Sequence, residues 1–300
     1  MQQLDIFADS HDRVLINRLA EALCDGALAQ SEQALAELSQ AFPNDRHLGS
    51  AAVLVQTLAH EQAPGQALSH HSAAAQACEQ LAGGVSAAAL RVLGADAAKP
   101  WLAQRWQALA RRARALPFDS ETGPKHSTHA AALWLQGRAW AEAEQAASAI
   151  DSWRRKPAPL AWVAQARWHL QGLDASWPLL AELAWIAPAR LGTLLPLLPD
   201  SALHKLARGF EGAGIDTPDD QTDWPDWRWW PAWLLVEQPL LAAPLQAAQT
   251  DAVAPPEAGF KQVLALLRAE RQGRQHDLMA LRRQVQALHP ALFKAYMATR

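Results

Sequence analysis

The chain has 300 residues, 50% of them hydrophobic, with a formal net charge of -3, 11 histidines and two cysteines. That length buries a substantial core as one large domain, two average domains or a repeat array. The charge excludes a global basic field for nucleic acid or an anionic membrane surface, and Cys24 and Cys78 are too few and too far apart for a disulfide framework or a structural zinc site.

The chain opens with "MQQLDIFADSHDRVL". Asp5, Asp9 and Asp12 stand where a secretion signal needs a basic region and then an apolar run, so the expected location is cytoplasmic. Within this polar segment, Gln3-Leu4-Asp5-Ile6-Phe7 places three apolar side chains on a terminus that would ordinarily fray. Either the segment packs on the first hairpin as a structural arm, or a partner takes it. The pentapeptide resembles the short linear motif by which bacterial replication and repair proteins dock on the β sliding clamp. That pattern is close to Gln, Leu, Ser or Asp, Leu, Phe, with Ile6 here in place of the commoner leucine. The resemblance implies that Leu4, Ile6 and Phe7 fill apolar pockets and Gln3 enters a polar notch. Burying three such side chains gives roughly 1.5–3 kcal/mol each, and ordering the backbone costs about 1–2 kcal/mol per residue. The small surplus predicts affinity on the order of micromolar or weaker.

From Ser10, the expected N-cap, apolar residues fall at helical spacing, with Leu15, Leu19 and Leu23 on one face. Gly26 ends that helix, a second carries Ala34, Leu35, Leu38 and Phe42, and Pro43 stops it. The order helix, glycine, helix, proline recurs at Gly84 to Pro100, Gly172 to Pro188 and Gly273 to Pro290. Two copies of "LQG" place Gly137 and Gly172 35 positions apart, close to the roughly 34-residue period of two-helix repeats. These segments resemble tetratricopeptide-like repeats, most clearly from about Ala130 to Pro188. The resemblance implies a scaffold that binds proteins in a concave groove and performs no chemistry.

The expected fold is therefore all-α: stacked helical hairpins in a tetratricopeptide-like solenoid, with an irregular helical bundle as the alternative. The expected divisions are a linear motif at 1–9, helical hairpins over 10–116, a Trp-rich repeat region over 129–243 and a C-terminal hairpin over 256–300, all in one continuous array. The apolar stretch from Pro178 to Pro199 contains Glu182, Arg190 and four prolines, which reads as buried helices and not as a membrane span.

All fourteen tryptophans lie between Trp101 and Trp233. Trp224, Trp227, Trp229, Trp230 and Trp233 are candidates for an aromatic partner groove. Asp216, Asp219, Asp220, Asp223 and Asp226 beside them would repel phosphate, so a cationic or proline-rich peptide fits better than nucleic acid. The competing account buries these rings in the core. Arg105, Arg111, Arg112 and Arg114, the run Arg154 to Lys156, and Arg282 with Arg283 read as solvated helix faces.

His126 with His129, and His70 with His71, lack the spacing of a zinc protease or finger, so no metal or other cofactor is expected. No nucleophile elbow is present, and "AGGVS" and "EGAGID" lack the lysine or strand of a phosphate loop. The reading is a non-enzymatic protein-binding adaptor, with the β sliding clamp as the implied partner. The alternatives are a peptide receptor or chaperone with a structural N-terminus, and an α-helical enzyme whose site lies between helices.

Overall fold

Helical periodicity is realised throughout. The computed structural model describes residues 8–63, 67–118, 128–215 and 226–300, and among them every regular element is helical. Contacts divide the chain into two compact units, Met1–Ala143 and Glu144–Arg300.

In the first unit, α1 (Ala8–Cys24) starts two residues before Ser10, so the expected N-cap lies inside the helix. Neither glycine nor proline stands ahead of Ser10 to stop the turn extending. Gly26, at φ +68°, reverses the chain into α2 (Leu28–Ala41). Phe42, before Pro43, leaves the helical region at φ -136° and ends α2. The third helix, α3 (Leu48–Gln62), packs on α1 and α2. Next, α4 (His71–Gln80) passes through one turn of π-helix, Leu81–Val85, into α5 (Ser86–Arg112), which packs on α1, α3 and α6 (Ala130–Gln136).

The expected hairpin from Gly84 to Pro100 is not formed. Gly84 sits in the π turn and Pro100 inside α5, and the chain bends instead at Gly94, with φ +75° and ψ 170°. The core gathers Leu19, Leu23, Leu38, Leu54, Leu58 and Trp101. Trp101 Nε1 donates to the Leu23 carbonyl at 3.0 Å, so the indole satisfies a helix-end acceptor as it fills the core. The division between units falls within α7 (Trp140–Ser148).

The second unit continues with α8 (Pro157–Gln171), α9 (Leu173–Ile186), α10 (Pro188–Leu194), α11 (Ser201–Glu211), α12 (Trp230–Glu237), α13 (Ala242–Leu245), α14 (Pro255–Arg271), α15 (Gln275–Leu288) and α16 (Pro290–Ala298). Five of these helices carry proline at the first or second position. There its missing N–H costs no helical bond and its φ is already helical. Proline here opens the following helix as much as it closes the preceding one.

Every residue of α12 from Trp230 to Val236 is buried. A helix apolar on all sides must be enclosed, and α9, α11, α14 and α16 all pack on it. The stretch from Pro178 to Pro199 forms the end of α9, all of α10 and a short 3-10 turn, with Leu179 to Ala184 buried. Buried Glu182 is held by two bonds from Arg154, at 2.9 and 2.6 Å, and by the Gln249 amide at 2.8 Å.

Candidate functional site

The pentapeptide Gln3, Leu4, Asp5, Ile6 and Phe7 lies outside the described residues, directly ahead of α1. Trp224 lies outside them as well. Trp227 is half-buried, and Trp229, Trp230 and Trp233 are 2%, 0% and 4% exposed. Their rings stack into the second unit: Trp230 lies 5.9 Å from Trp177, and Trp233 5.5 Å from Phe210. The aromatic groove expected from these residues is therefore corrected for Trp229, Trp230 and Trp233. An all-apolar α12 gains more from enclosure than from exposure, and these three rings present no face to a partner.

The arginine reading also changes. Arg105 is not on a solvated face: its side chain is 8% exposed, and its Nε lies 2.7 Å from Oε2 of Glu61, itself 14% exposed. Both positions follow from helical register. Leu54, Leu58 and Glu61 share one stripe of α3, and Trp101, Arg105 and Leu109 share one of α5, so each charge occupies a position that its neighbours carry into the core. The guanidinium lies over the Trp101 ring, 4.7 Å from its centre. Neither Nε nor Nη1 of Arg105 has a hydrogen-bond partner, so the short approach to Glu61 is a charge contact without hydrogen-bond alignment.

This pair stands in the wall of a cavity of about 500 Å³ within the first unit, within the usual size range of small-molecule sites. Gln56, Thr57, His60 and Glu61 of α3, Gln80 of α4, and Arg105 and Arg112 of α5 supply its polar lining. Val53, Leu81, Val85 and Leu109 supply apolar walls. The π turn contributes exposed Gly84 to the rim, where an added Cβ would meet nothing within 4 Å. Single π turns inside α-helices recur at functional sites.

Burial pushes the Glu61 carboxyl up to about 7, against the opposing pull of Arg105, Arg111 and Arg112. Burial also lowers the Arg105 guanidinium, which Glu61 partly restores, and a guanidinium remains charged under such perturbation. The cavity thus holds fixed positive charge beside a carboxyl that ionises near neutrality. It can receive an anion and couple that event to a proton.

The sequence reading missed Glu61, Gln56, Thr57, His60 and Gln80. For Glu61 the available signal was its register on the Leu54–Leu58 stripe. The polar rim residues carried no comparable signal, since their convergence depends on the approach of α4 to α3.

A smaller cavity of about 140 Å³ in the second unit is lined by Glu182, Asp251 and Glu257 among others. There Glu182 is bound as above, and Glu257 accepts from the Thr250 hydroxyl and the Ala252 amide. Burial raises both thiols, with Asp25 adding to the effect at Cys24 and Glu79 at Cys78, which reaches about 11. Both are poor nucleophiles at neutral pH. Among the described residues, no group of three His, Cys, Asp or Glu side chains is placed to hold a metal ion. His129 caps α6 through Nδ1, which accepts from the Ala131 amide at 3.2 Å.

Among the described residues, His71–Arg112 is the stretch long and apolar enough to cross a membrane, with a mean hydropathy of 1.2 over its most apolar window. It also contains the π turn, the bend at Gly94 and buried Arg105. No protein-family model, curated protein or solved structure matches the chain.

Proposed function

We propose that this chain is a non-enzymatic protein–protein adaptor, built on helical hairpins of the tetratricopeptide kind and tethered to the bacterial β sliding clamp by Gln3-Leu4-Asp5-Ile6-Phe7. The match of that pentapeptide to the clamp-docking pattern, immediately ahead of α1, carries the reading. An extended peptide beside a helix start can be offered to a partner while the helices behind it stay folded. Those helical units supply a body able to hold a second protein.

Calorimetric titration of purified β clamp into the intact chain tests this. Binding with a Kd on the order of micromolar is expected, and the variant Gln3→Ala, Leu4→Ala, Phe7→Ala should lose it while keeping its helical circular dichroism and Tm. Equal clamp binding by that variant, or none by the intact chain, refutes the tether. A fall of several degrees in Tm for the variant, as loss of buried side chains produces, assigns the segment instead to a structural arm on the first hairpin. The chain would then read as a peptide receptor.

A further inference from the structure

The cavity of the first unit, lined by described residues of α3, α4, the π turn and α5, points to a different class of ligand from the N-terminal pentapeptide. We propose that the cavity between α3, α4 and α5 binds an amphipathic organic monocarboxylate. Its head group sits against the buried Arg105 guanidinium, and its apolar body lies along Leu81, Val85 and Leu109.

Three observations carry this. Arg105 is more than nine-tenths buried and lines the cavity, and while its Nε stands against Glu61, its Nη1 has no hydrogen-bond partner. A buried donor without a partner costs free energy that an incoming oxyanion recovers. The second observation is volume: about 500 Å³ is room for a short-chain or aryl acid.

The third is charge. Glu61 Oε2 stands 2.7 Å from Arg105 Nε, so a head group at the guanidinium has that carboxyl at its side. This arrangement suits a monoanion better than a phosphate dianion, whose second charge would face Glu61. The charged and titratable groups facing Glu61 are Arg105, Arg111 and Arg112 from α5 and His60 from α3, while α4 contributes uncharged Ala77 and Gln80 to the cavity.

Ligand binding should therefore take up a proton at Glu61. Its carboxyl stands near 7 in the free protein, so affinity should fall as pH rises above that value, by up to about tenfold per pH unit.

Isothermal titration of the full chain with sodium octanoate, sodium benzoate and inorganic phosphate, at about pH 6 and about pH 8, tests the proposal. Saturable one-to-one binding of octanoate or benzoate is expected at the lower pH, weakening several-fold at the higher, with phosphate bound more weakly than either. Glu61→Gln should bind nearly equally at both pH values, which separates Glu61 from His60. Arg105→Gln should abolish binding. Because that change also strips Glu61 of its counter-charge, Gly84→Leu serves beside it: its side chain enters open space at the cavity rim and should block the ligand in a chain of unchanged circular dichroism. The site is refuted by the absence of saturable carboxylate binding at the lower pH, by unimpaired binding in Gly84→Leu, or by preference for phosphate. Affinity unchanged between the two pH values sinks the link to Glu61.

Discussion

His129 shows how one side chain can set a pH dependence through a structural bond. Its Nδ1 accepts the Ala131 amide at the start of α6, which only an unprotonated nitrogen can do. Burial, with a smaller push from His71, lowers it from 6.5 to about 4. The unfolded chain then binds more protons than the folded one between those values, so His129 contributes stability that is lost as pH falls from about 6.5 to about 4. Glu61 acts in the opposite sense. Its folded carboxyl is raised from 4.5 to about 7, so it favours folding at low pH, and that contribution is lost as pH rises across this window. Replacing His129 with asparagine, itself a good cap, should flatten the acid limb of a urea-unfolding series between about pH 4 and pH 6.5. An acid limb identical to that of the parent chain would remove His129 as its cause.

At the scale of elements, the glycines separate by what surrounds them. Gly137 and Gly172 share the "LQG" motif but are required for different reasons. A Cβ on Gly137 would stand 2.7 Å from Gln107 Cγ and 3.0 Å from the Ala103 carbonyl, whereas Gly172 has open space and φ +84°. Gly259 of α14 resembles Gly137, since its Cβ would lie 2.6 Å from Trp229 Cζ3. Gly259→Ala should therefore lower stability by about 1–3 kcal/mol through overpacking, although alanine is the better helix former. Gly192 in α10 meets nothing within 4 Å and has no positive φ, so Gly192→Ala should raise stability by about 0.5–1 kcal/mol. Chemical denaturation of both variants checks the pair, and the same sign of change in each would defeat the explanation. Much of this level was legible in the sequence. Gly26 with Pro43, Gly172 with Pro188, and Gly273 with Pro290 do punctuate helices, because positive φ and a missing N–H act locally. Gly84 with Pro100 fails because a π turn absorbs the glycine and the bend at Gly94 restarts the helix only six residues before the proline. Arg105 was legible in register yet read as solvated by residue type, and Glu61 was passed over, since charge suggests solvent until the apolar stripe on both sides is followed. The cavity was not legible, as it depends on how far apart α3 and α4 stand over α5.

At the scale of the whole molecule, the two units present different problems. The first keeps buried charge beside its cavity of about 500 Å³, while the second encloses the all-apolar α12. Its surroundings come from both sides of the sequence: α9 and α11 precede it, whereas α14 and α16 come after. The segment Trp230 to Val236 therefore leaves the ribosome before half of its cover has been made. At about 5–20 residues per second, synthesis through the end of α16 leaves that apolar stretch uncovered for a time on the order of seconds. A chain ending near residue 250 should accumulate as aggregate, or in soluble form only with a chaperone bound, because α14 and α16 are missing. Its recovery as a soluble monomer with native Trp fluorescence would show that α9 and α11 suffice. The enclosure of α12 thus makes translation timing a hazard for this chain: a stalled or prematurely terminated message yields a sticky fragment in place of a smaller folded protein.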